Sequence, residues 1–469
     1  VAGVSFLGLD VGTSGVKAIL LSAAGDVTAT ATTPLSMATP RPGWAEQGPE
    51  AWWAAAVTSV RGVLERDPDA RVAALGISGQ MHSSVFLDRG GKVIRPALLW
   101  SDSRTTAECA EITAKAGGEG QLRDWVCNPA LEGFTLPKVL WLRNHEPEAF
   151  ARLATVLLAK DFIRFRLTGV LSTEPSDASG TLMFDPVHLR WSDDLLQAVG
   201  LSRALLPEVR GSAEVHGQIT SNAAAATGLQ AGTPVVGGGA DNACGAAGVG
   251  AITPGETVVS WGTSGTVLAP TAQPLVDPRL RAHTFCHVLP QVWYLMGVVL
   301  SAGGAFAWYR DQFARELAGS DRADDLLDHE AAGVPAGAEG VTFLPYLQGE
   351  RTPHRDASAR GAFVGLSLAH TRAHLTRAVL EGISFALRDS LSILQELGLS
   401  PSRLLLTGGG ARSRFIRRLQ AEVYGLPVST ANREEGPGYG AALLAAVGAG
   451  AFPDLAAATA ATLSRGAAE

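Results

Sequence analysis

The chain has 469 residues, 46% of them hydrophobic and 18% charged, a globular rather than a disordered composition with room for two or three cores. A net charge of −7 without any Lys/Arg run argues against a nucleic-acid partner, because phosphate neutralisation needs a basic stripe. The opening VAGVSFLGLD lacks a leader pattern and no stretch approaches about 18 uninterrupted apolar residues, so the expectation is a soluble, cytoplasmic protein with no membrane partner.

Val4–Asp10 and Val16–Leu21 are apolar runs that predict strands, and the alternating Val27–Pro34 predicts a third. The first two are joined by a glycine-rich turn, Asp10-Val11-Gly12-Thr13-Ser14-Gly15. Glu50–Arg66 reads as a helix with Trp and Ala on its inner face, and Arg71–Ser78 as a strand. Asp88-Arg89-Gly90-Gly91 is a hairpin turn before a strand into Trp100, and residues from about 104 to 215 read as mostly helical. Val235 and Val236 end a strand that runs through a glycine series to Asp241.

The second half repeats the opening. Thr257–Trp261 and Thr266–Ala269 read as strands around Gly262-Thr263-Ser264-Gly265, the tetrapeptide already seen at 12–15. Arg403–Leu406 reads as a strand that enters Thr407-Gly408-Gly409-Gly410-Ala411 and then a helix to Tyr424. The chain closes on an Ala-rich, low-complexity stretch, Ala456–Glu469. The organisation is therefore α/β, two similar domains spanning residues 1–246 and 247–469.

Small residues at a turn let backbone N–H groups approach an anion, and two such turns with a third at a helix start favour a polyphosphate ligand. No Walker A sequence is present. Gly436-Pro437-Gly438-Tyr439-Gly440-Ala441 formally matches a dinucleotide fingerprint, but it follows a loop, residues 432–435, and its glycines read as helix-capping and helix-packing. The four cysteines are scattered, and His283-Thr284-Phe285-Cys286-His287 lacks a second ligand pair, so packing outweighs a zinc site there. On the residues alone, Asp241 is as much a turn aspartate as a proton acceptor.

The turn at 10–17, its repeat at 262–265 and Thr407–Arg412 resemble the phosphate and adenosine motifs of the FGGY carbohydrate kinases, relatives of actin, the hexokinases and the Hsp70 chaperones. Gly79-Gln80-Met81-His82, Leu99–Arg104, Gly133–Lys138, Ser176–Thr181, Gly237–Asn242, Phe343–Leu347 and Gly349–His354 resemble most the branch that phosphorylates D-xylulose. The resemblance implies two duplicated ribonuclease-H-like domains with an active-site cleft between them, ATP with Mg²⁺, transfer to the sugar 5-hydroxyl, and a homodimer. It places the catalytic base at Asp241 and a water-mediated Mg²⁺ contact at Asp10. Met81, His82, Asp241 and Asn242 fall on sugar contacts. Gly12, Thr13, Ser14, Lys17, Thr263, Gly409 and Gly410 fall on nucleotide positions. Ala240 departs from the family's glycine before the base. Kinases for ribulose, erythritol or glycerol are the nearest alternatives. An actin- or Hsp70-like switch would have no use for the segments at 79–82 and 349–354.

Asp102 and Arg104 could pair with each other or meet the sugar, and Trp100 and Trp308 could be core aromatics or ligand walls.

Overall fold

The computed structural model describes residues 3–317, 319–432, 436–464, 466 and 468. The chain divides into two compact units that are not contiguous in sequence: one holds Val1–Ile252, Thr284–Trp293 and Glu435–Leu463, the other Thr253–His283, Tyr294–Glu434 and Ser464–Glu469. Residue 246 itself lies within the helix Asp241–Gly248.

The first unit is built on a mixed sheet in the order Val215–Gln218, Pro234–Val236, Arg71–Gly79, Val4–Val11, Gly15–Ser22, Val27–Pro34. Val4–Val11 and Gly15–Ser22 pair antiparallel from Ser5↔Ser22 to Val11↔Val16, while Arg71–Gly79 lies parallel on the other side of Val4–Val11. The expected helix is Pro49–Arg66, with Pro at its start and Trp52, Ala55, Ala56, Val60 and Val63 buried at helical spacing. The stretch from 104 to 215 carries seven α-helices among the described residues.

One face of this sheet is covered by the helix Pro437–Gly448, buried from Gly438 to Ala446. A helix apolar on every side belongs in a core. It comes unusually close because the strands below it carry glycine: a Cβ at Gly8 would lie 2.0 Å from the Gly438 carbonyl oxygen, and one at Gly76 would lie 2.0 Å from that of Ala441. Gly440 meets Cys244 in the same way, also at 2.0 Å. The glycines of 436–441 therefore cap and pack a helix, as their sequence context suggested; residues 433–435 of the preceding loop lie outside the described residues.

The Ala-rich end does not stay irregular. Leu455–Thr462 is a helix whose first turn is capped by Asp454 Oδ1, which accepts from the Ala457 N–H at 2.7 Å, and Leu455, Ala458, Thr459 and Thr462 are buried. That is an i, i+3, i+4, i+7 stripe, hidden in the sequence by its alanines. Residues 465, 467 and 469 of this end lie outside the described residues.

The second unit repeats the core motif. Glu256–Trp261 and Gly265–Thr271 form an antiparallel hairpin closing at Trp261↔Gly265, and Arg403–Gly408 runs parallel to Glu256–Trp261, with Val428–Thr430 parallel beyond it. The 25-residue helix Arg372–Glu396 packs Val379, Leu380, Ile383, Leu387, Leu391 and Leu394 into this unit's core. Each unit thus has a glycine-turned hairpin flanked by a parallel strand. The chain is an α/β protein of two domains built on the same plan.

Candidate active site

The end of the strand Val4–Val11 brings Asp10 opposite Lys17 on one neighbour and opposite Ser78 on the other. Residues paired across strands share a sheet face, so these three side chains form one row. Gly239 extends the row, since it pairs with Ser78. Asp241 follows two residues later as the first residue of the helix Asp241–Gly248.

The two carboxyls feel each other. Burial raises the Asp10 carboxyl to about 6, with the Lys17 charge pulling the other way. Burial also raises Asp241, to about 7, and the negative charge of Asp10 adds to the effect, against the hydrogen bonds from Asn242. Asp241 Oδ1 accepts from the Asn242 backbone N–H at 2.7 Å and from Asn242 Nδ2 at 2.9 Å. A carboxyl poised near neutral pH suits a general base, which must lose its own proton yet take up another. Asp10 Oδ1 is buried without a hydrogen-bond partner among the described residues.

Met81 and His82 join this group. Asn242 Nδ2 reaches Met81 Sδ at 3.6 Å, so the Asp241–Asn242 turn lies against the 81–82 segment. His82 is buried with φ of 69°, a left-handed conformation that a non-glycine residue holds only when its surroundings fix it. Its Nδ1 contacts the Gly180 carbonyl. A carbonyl only accepts, so Nδ1 carries the proton in this contact. The Phe134 ring stands edge-on to His82 at 4.9 Å, and Phe285 lies at 6.1 Å. The four sugar contacts expected from sequence are thus brought together in one unit.

The first glycine turn is tied to the same segment. Its Gly12 N–H donates to the Gly15 carbonyl at 3.0 Å. Thr13 is partly buried, and its hydroxyl accepts from the Trp100 indole at 2.9 Å and donates to Gln80 Oε1 at 3.2 Å. Gln47 Nε2 donates to the Thr13 carbonyl at 2.7 Å, and Ser83 Oγ donates to Gln80 Oε1 at 2.9 Å. Gln80, Gln47 and Trp100 therefore fix the turn; sequence reasoning quoted the Gly-Gln-Met-His segment without giving Gln80 a role. Ser14 is exposed at the tip, and Lys17 is partly buried on the following strand.

In the second unit Thr263 is exposed, while its carbonyl accepts from Ala302 at 3.1 Å and Gly304 at 2.9 Å, at the start of the helix Gly303–Phe313. Gly408 has φ of 82°, and a Cβ at Gly410 would lie 2.7 Å from the Trp261 ring, so these two glycines are demanded by backbone and packing. Gly409 has more open space, its nearest neighbour being the Trp261 carbonyl at 4.0 Å. The helix expected after Thr407–Ala411 begins only at Arg414, capped by Ser413, beyond a 3₁₀ turn at Gly409–Arg412.

Asp102 and Arg104 pair with each other, at 2.7 Å for Nη2 to Oδ2, and the guanidinium also meets Glu46 at 2.8 Å and lies 3.6 Å from the Trp44 ring centroid. Both side chains are buried. Trp308 is partly exposed, against Phe313 and Phe343. His283, Cys286 and His287 are buried.

Residues 5–248 match the N-terminal domain of the FGGY family of carbohydrate kinases, and residues 257–449 match its C-terminal domain. The chain belongs to this family. It is therefore an ATP-dependent sugar kinase. It is 42% identical to the xylulose kinase of Escherichia coli (strain K12) over 445 residues, covering 95% of this chain and 90% of that one. The xylulose kinase of Bacillus subtilis (strain 168) is 41% identical over 455 residues, covering 96% and 89%. The crystal structure of ligand-bound xylulose kinase from Lactobacillus acidophilus superposes with a TM-score of 0.92 at 29% identity, covering 99% of this chain and 93% of that one.

Proposed function

We propose that this FGGY kinase transfers the γ-phosphoryl group of ATP to the 5-hydroxyl of D-xylulose, with Asp241 as the general base. The observation that carries the reading is the convergence of Met81, His82, Asp241 and Asn242 beside Asp10 and the first glycine turn. Identity above 40% to two xylulose kinases, along nine-tenths of their length, supports the choice of sugar.

Phosphoryl transfer asks the protein mainly for positioning and for charge at the γ-phosphate. A sugar hydroxyl is a weak nucleophile, so a carboxylate must accept its proton as attack proceeds. Burial and the Asp10 charge hold Asp241 at about 7, an acidity that suits that step. His82 and the Asn242 amide offer hydrogen bonds to sugar hydroxyls, and Met81 offers an apolar wall. Gly12, Thr13, Ser14 and Lys17 hold phosphate from the first turn through backbone N–H groups and the Lys17 charge; Thr263, Gly409 and Gly410 take the remaining nucleotide positions. On this assignment residues 1–246 carry the sugar and the first phosphate turn, and residues 247–469 the second turn and the adenosine.

A divalent cation fits the residues present. The orphaned Asp10 oxygen is a hard donor at the end of a strand. Among the described residues no three His, Cys, Asp or Glu side chains converge on a metal position, which suits Mg²⁺, an ion that keeps its waters and leans on one or two carboxylates plus substrate phosphates. Bound there, Mg²⁺ would supply charge neutralisation on the phosphates.

Family membership extends the proposal to a cytoplasmic homodimer; among the described residues no helix is long and apolar enough to cross a membrane. Light scattering on the purified chain checks the dimer. The decisive experiment is a panel of D-xylulose, D-ribulose, erythritol and glycerol with coupled ADP detection. D-xylulose should lead in kcat/KM, and another acceptor leading would refute the substrate assignment.

A further inference from the structure

Sequence suggests that the glycine series before Asp241 is flexible, but it is held along its length, with the Gly237 N–H donating to the Glu214 carbonyl at 3.0 Å. Arg164 Nη1 donates to the Gly237 carbonyl at 2.9 Å, the Gly238 N–H donates to the Ser212 carbonyl at 2.9 Å, and the Ala240 N–H donates to Ser176 Oγ at 2.9 Å. Gly238 needs to be glycine, with φ of 73° and a virtual Cβ 1.8 Å from the Ile77 carbonyl oxygen. Ala240 has φ of −54° and ψ of 144°, which any L-residue adopts, so its methyl group meets no backbone strain.

The last of these ties leads into a buried ionic cluster that phosphoryl transfer does not itself call upon. Ser176 Oγ itself donates a hydrogen bond to Glu174, whose oxygens lie 2.8 and 2.9 Å away. Glu174 also accepts from the backbone N–H groups of Ser176 and Asp177, at 2.8 and 2.9 Å, and from Ser212 Oγ at 2.9 Å. Lys160 Nζ stands 3.3 Å from Glu174 and 2.6 Å from Asp161, which in turn meets Arg164 at 2.8 Å. All of these side chains are buried. Lys160 keeps its charge because Asp161, Glu174 and Asp177 outweigh the burial that would otherwise strip its proton. Three carboxyls face two cations, and Asp177 is pushed up by burial, against the pull of Lys160 and with the help of Asp161 and Glu174. Glu174 and Ser176 form the fully bonded part of the cluster, whereas Asp161 Oδ2, Arg164 Nε and both Asp177 oxygens have no hydrogen-bond partner among the described residues.

We propose that Ser176 is a positioning residue for the phosphoryl-transfer step: oriented by Glu174, it fixes the Ala240 N–H and thereby aims the carboxylate of Asp241 at the attacking hydroxyl. The proposal rests on Asp241 being the base. Among the described residues, Ser176 is the side chain whose hydrogen bonds join the ionic cluster to the residue immediately before Asp241, and its hydroxyl is committed at both ends. Because it donates to Glu174, only its lone pairs face Ala240, so the direction of the Ala240 N–H is set by the cluster.

The test compares Ser176→Ala and Ser176→Cys with Ser212→Ala. The first two remove or weaken the acceptor at Ala240; the third takes an equivalent hydroxyl from Glu174 and leaves Ala240 alone. With the purified full chain, coupled ADP detection should show kcat reduced at least tenfold in both Ser176 variants, sugar KM within threefold of the parent, and a larger solvent deuterium isotope effect on kcat, as proton transfer to a misaimed base becomes slower. Ser212→Ala should keep the parent's kcat and isotope effect within twofold. A merely structural role would lower the active fraction without changing the isotope effect. An unchanged isotope effect in the Ser176 variants, or the same change in Ser212→Ala, would overturn the proposal. Asp241→Ala, measured alongside, decides the base assignment separately: if it transfers phosphate normally, that reading fails, and if it is inactive while Ser176→Ala matches the parent, only the positioning role fails.

Discussion

Asp241→Asn should disable the enzyme and, at alkaline pH, stabilise it. The substitution keeps the shape and leaves an oxygen to accept from the Asn242 N–H, now at 2.7 Å, but removes the charge. Loss of a general base lowers kcat by roughly 10²–10⁴-fold, while sugar KM should stay within about threefold, since the other three contacts remain. The stability effect has a definite sign. Burial and the Asp10 charge hold the folded carboxyl at about 7, above its unfolded value, so folding disfavours the ionised form. The penalty is absent below the unfolded value near 4 and complete above the folded value. Raising a carboxyl from near 4 to about 7 corresponds to roughly 4 kcal/mol, or about 2 kcal/mol after allowance for the water that reaches this partly exposed group. Thermal unfolding of parent and variant at pH 5 and pH 8.5 should show the variant's advantage widening with pH. The parent's kcat/KM should fall as pH drops below about 7. A variant with kcat within tenfold of the parent, or a stability gap that does not widen between the two pH values, would refute the reasoning.

Thr13→Val deletes a hydroxyl that bridges Trp100 and Gln80; with each such bond worth about 1 kcal/mol, KM for ATP should rise about three- to tenfold at nearly constant sugar KM, measured by initial rates. Ala240→Gly introduces the glycine that the family resemblance leads one to expect, at a position with ordinary backbone angles, so it should lower stability by about 0.5–1 kcal/mol through chain entropy and keep kcat within about threefold, checked by thermal melts and coupled assay. Gly76→Ala forces a methyl group to within 2.0 Å of the Ala441 carbonyl oxygen, and should destabilise the first unit by about 3 kcal/mol as the helix Pro437–Gly448 lifts from the sheet, seen in denaturant unfolding.

Much of the fold was legible because its signals are local. Apolar runs at Val4–Asp10 and Val16–Leu21 around a glycine turn specify a hairpin without reference to the rest of the chain, and the same turn at 262–265 specifies its copy. The Ala-rich end misled because alanine blurs the contrast between the faces of a helix; the buried stripe at Leu455, Ala458, Thr459 and Thr462 is defined by what covers it. The division of the chain was also hidden, since the helix Pro437–Gly448 returns to the first unit by packing on glycines at 8 and 76, hundreds of residues earlier.

The site divides along the same line between local and distant causes. Asp10 announces itself as an acid ending an apolar strand, and Asp241 as an acid after a glycine series. What makes them different from turn residues is mutual. Each is raised by burial, and Asp241 further by Asp10, a coupling between positions that no spacing rule connects. The supports are more distant still. Thr13 reads as a phosphate contact because of the turn around it, yet its hydroxyl is already engaged by Trp100 and Gln80, so its turn can offer a phosphate its backbone while its side chain keeps that backbone in place. Ser176 reads as one letter of a motif, and its partner at residue 240 is a backbone N–H, which has no letter at all. A sequence records side chains. On the proposed assignments, the peptide N–H groups of the first turn and of Ala240 are held in position by side chains whose own chemistry is silent, and such supporting residues emerge only from the fold.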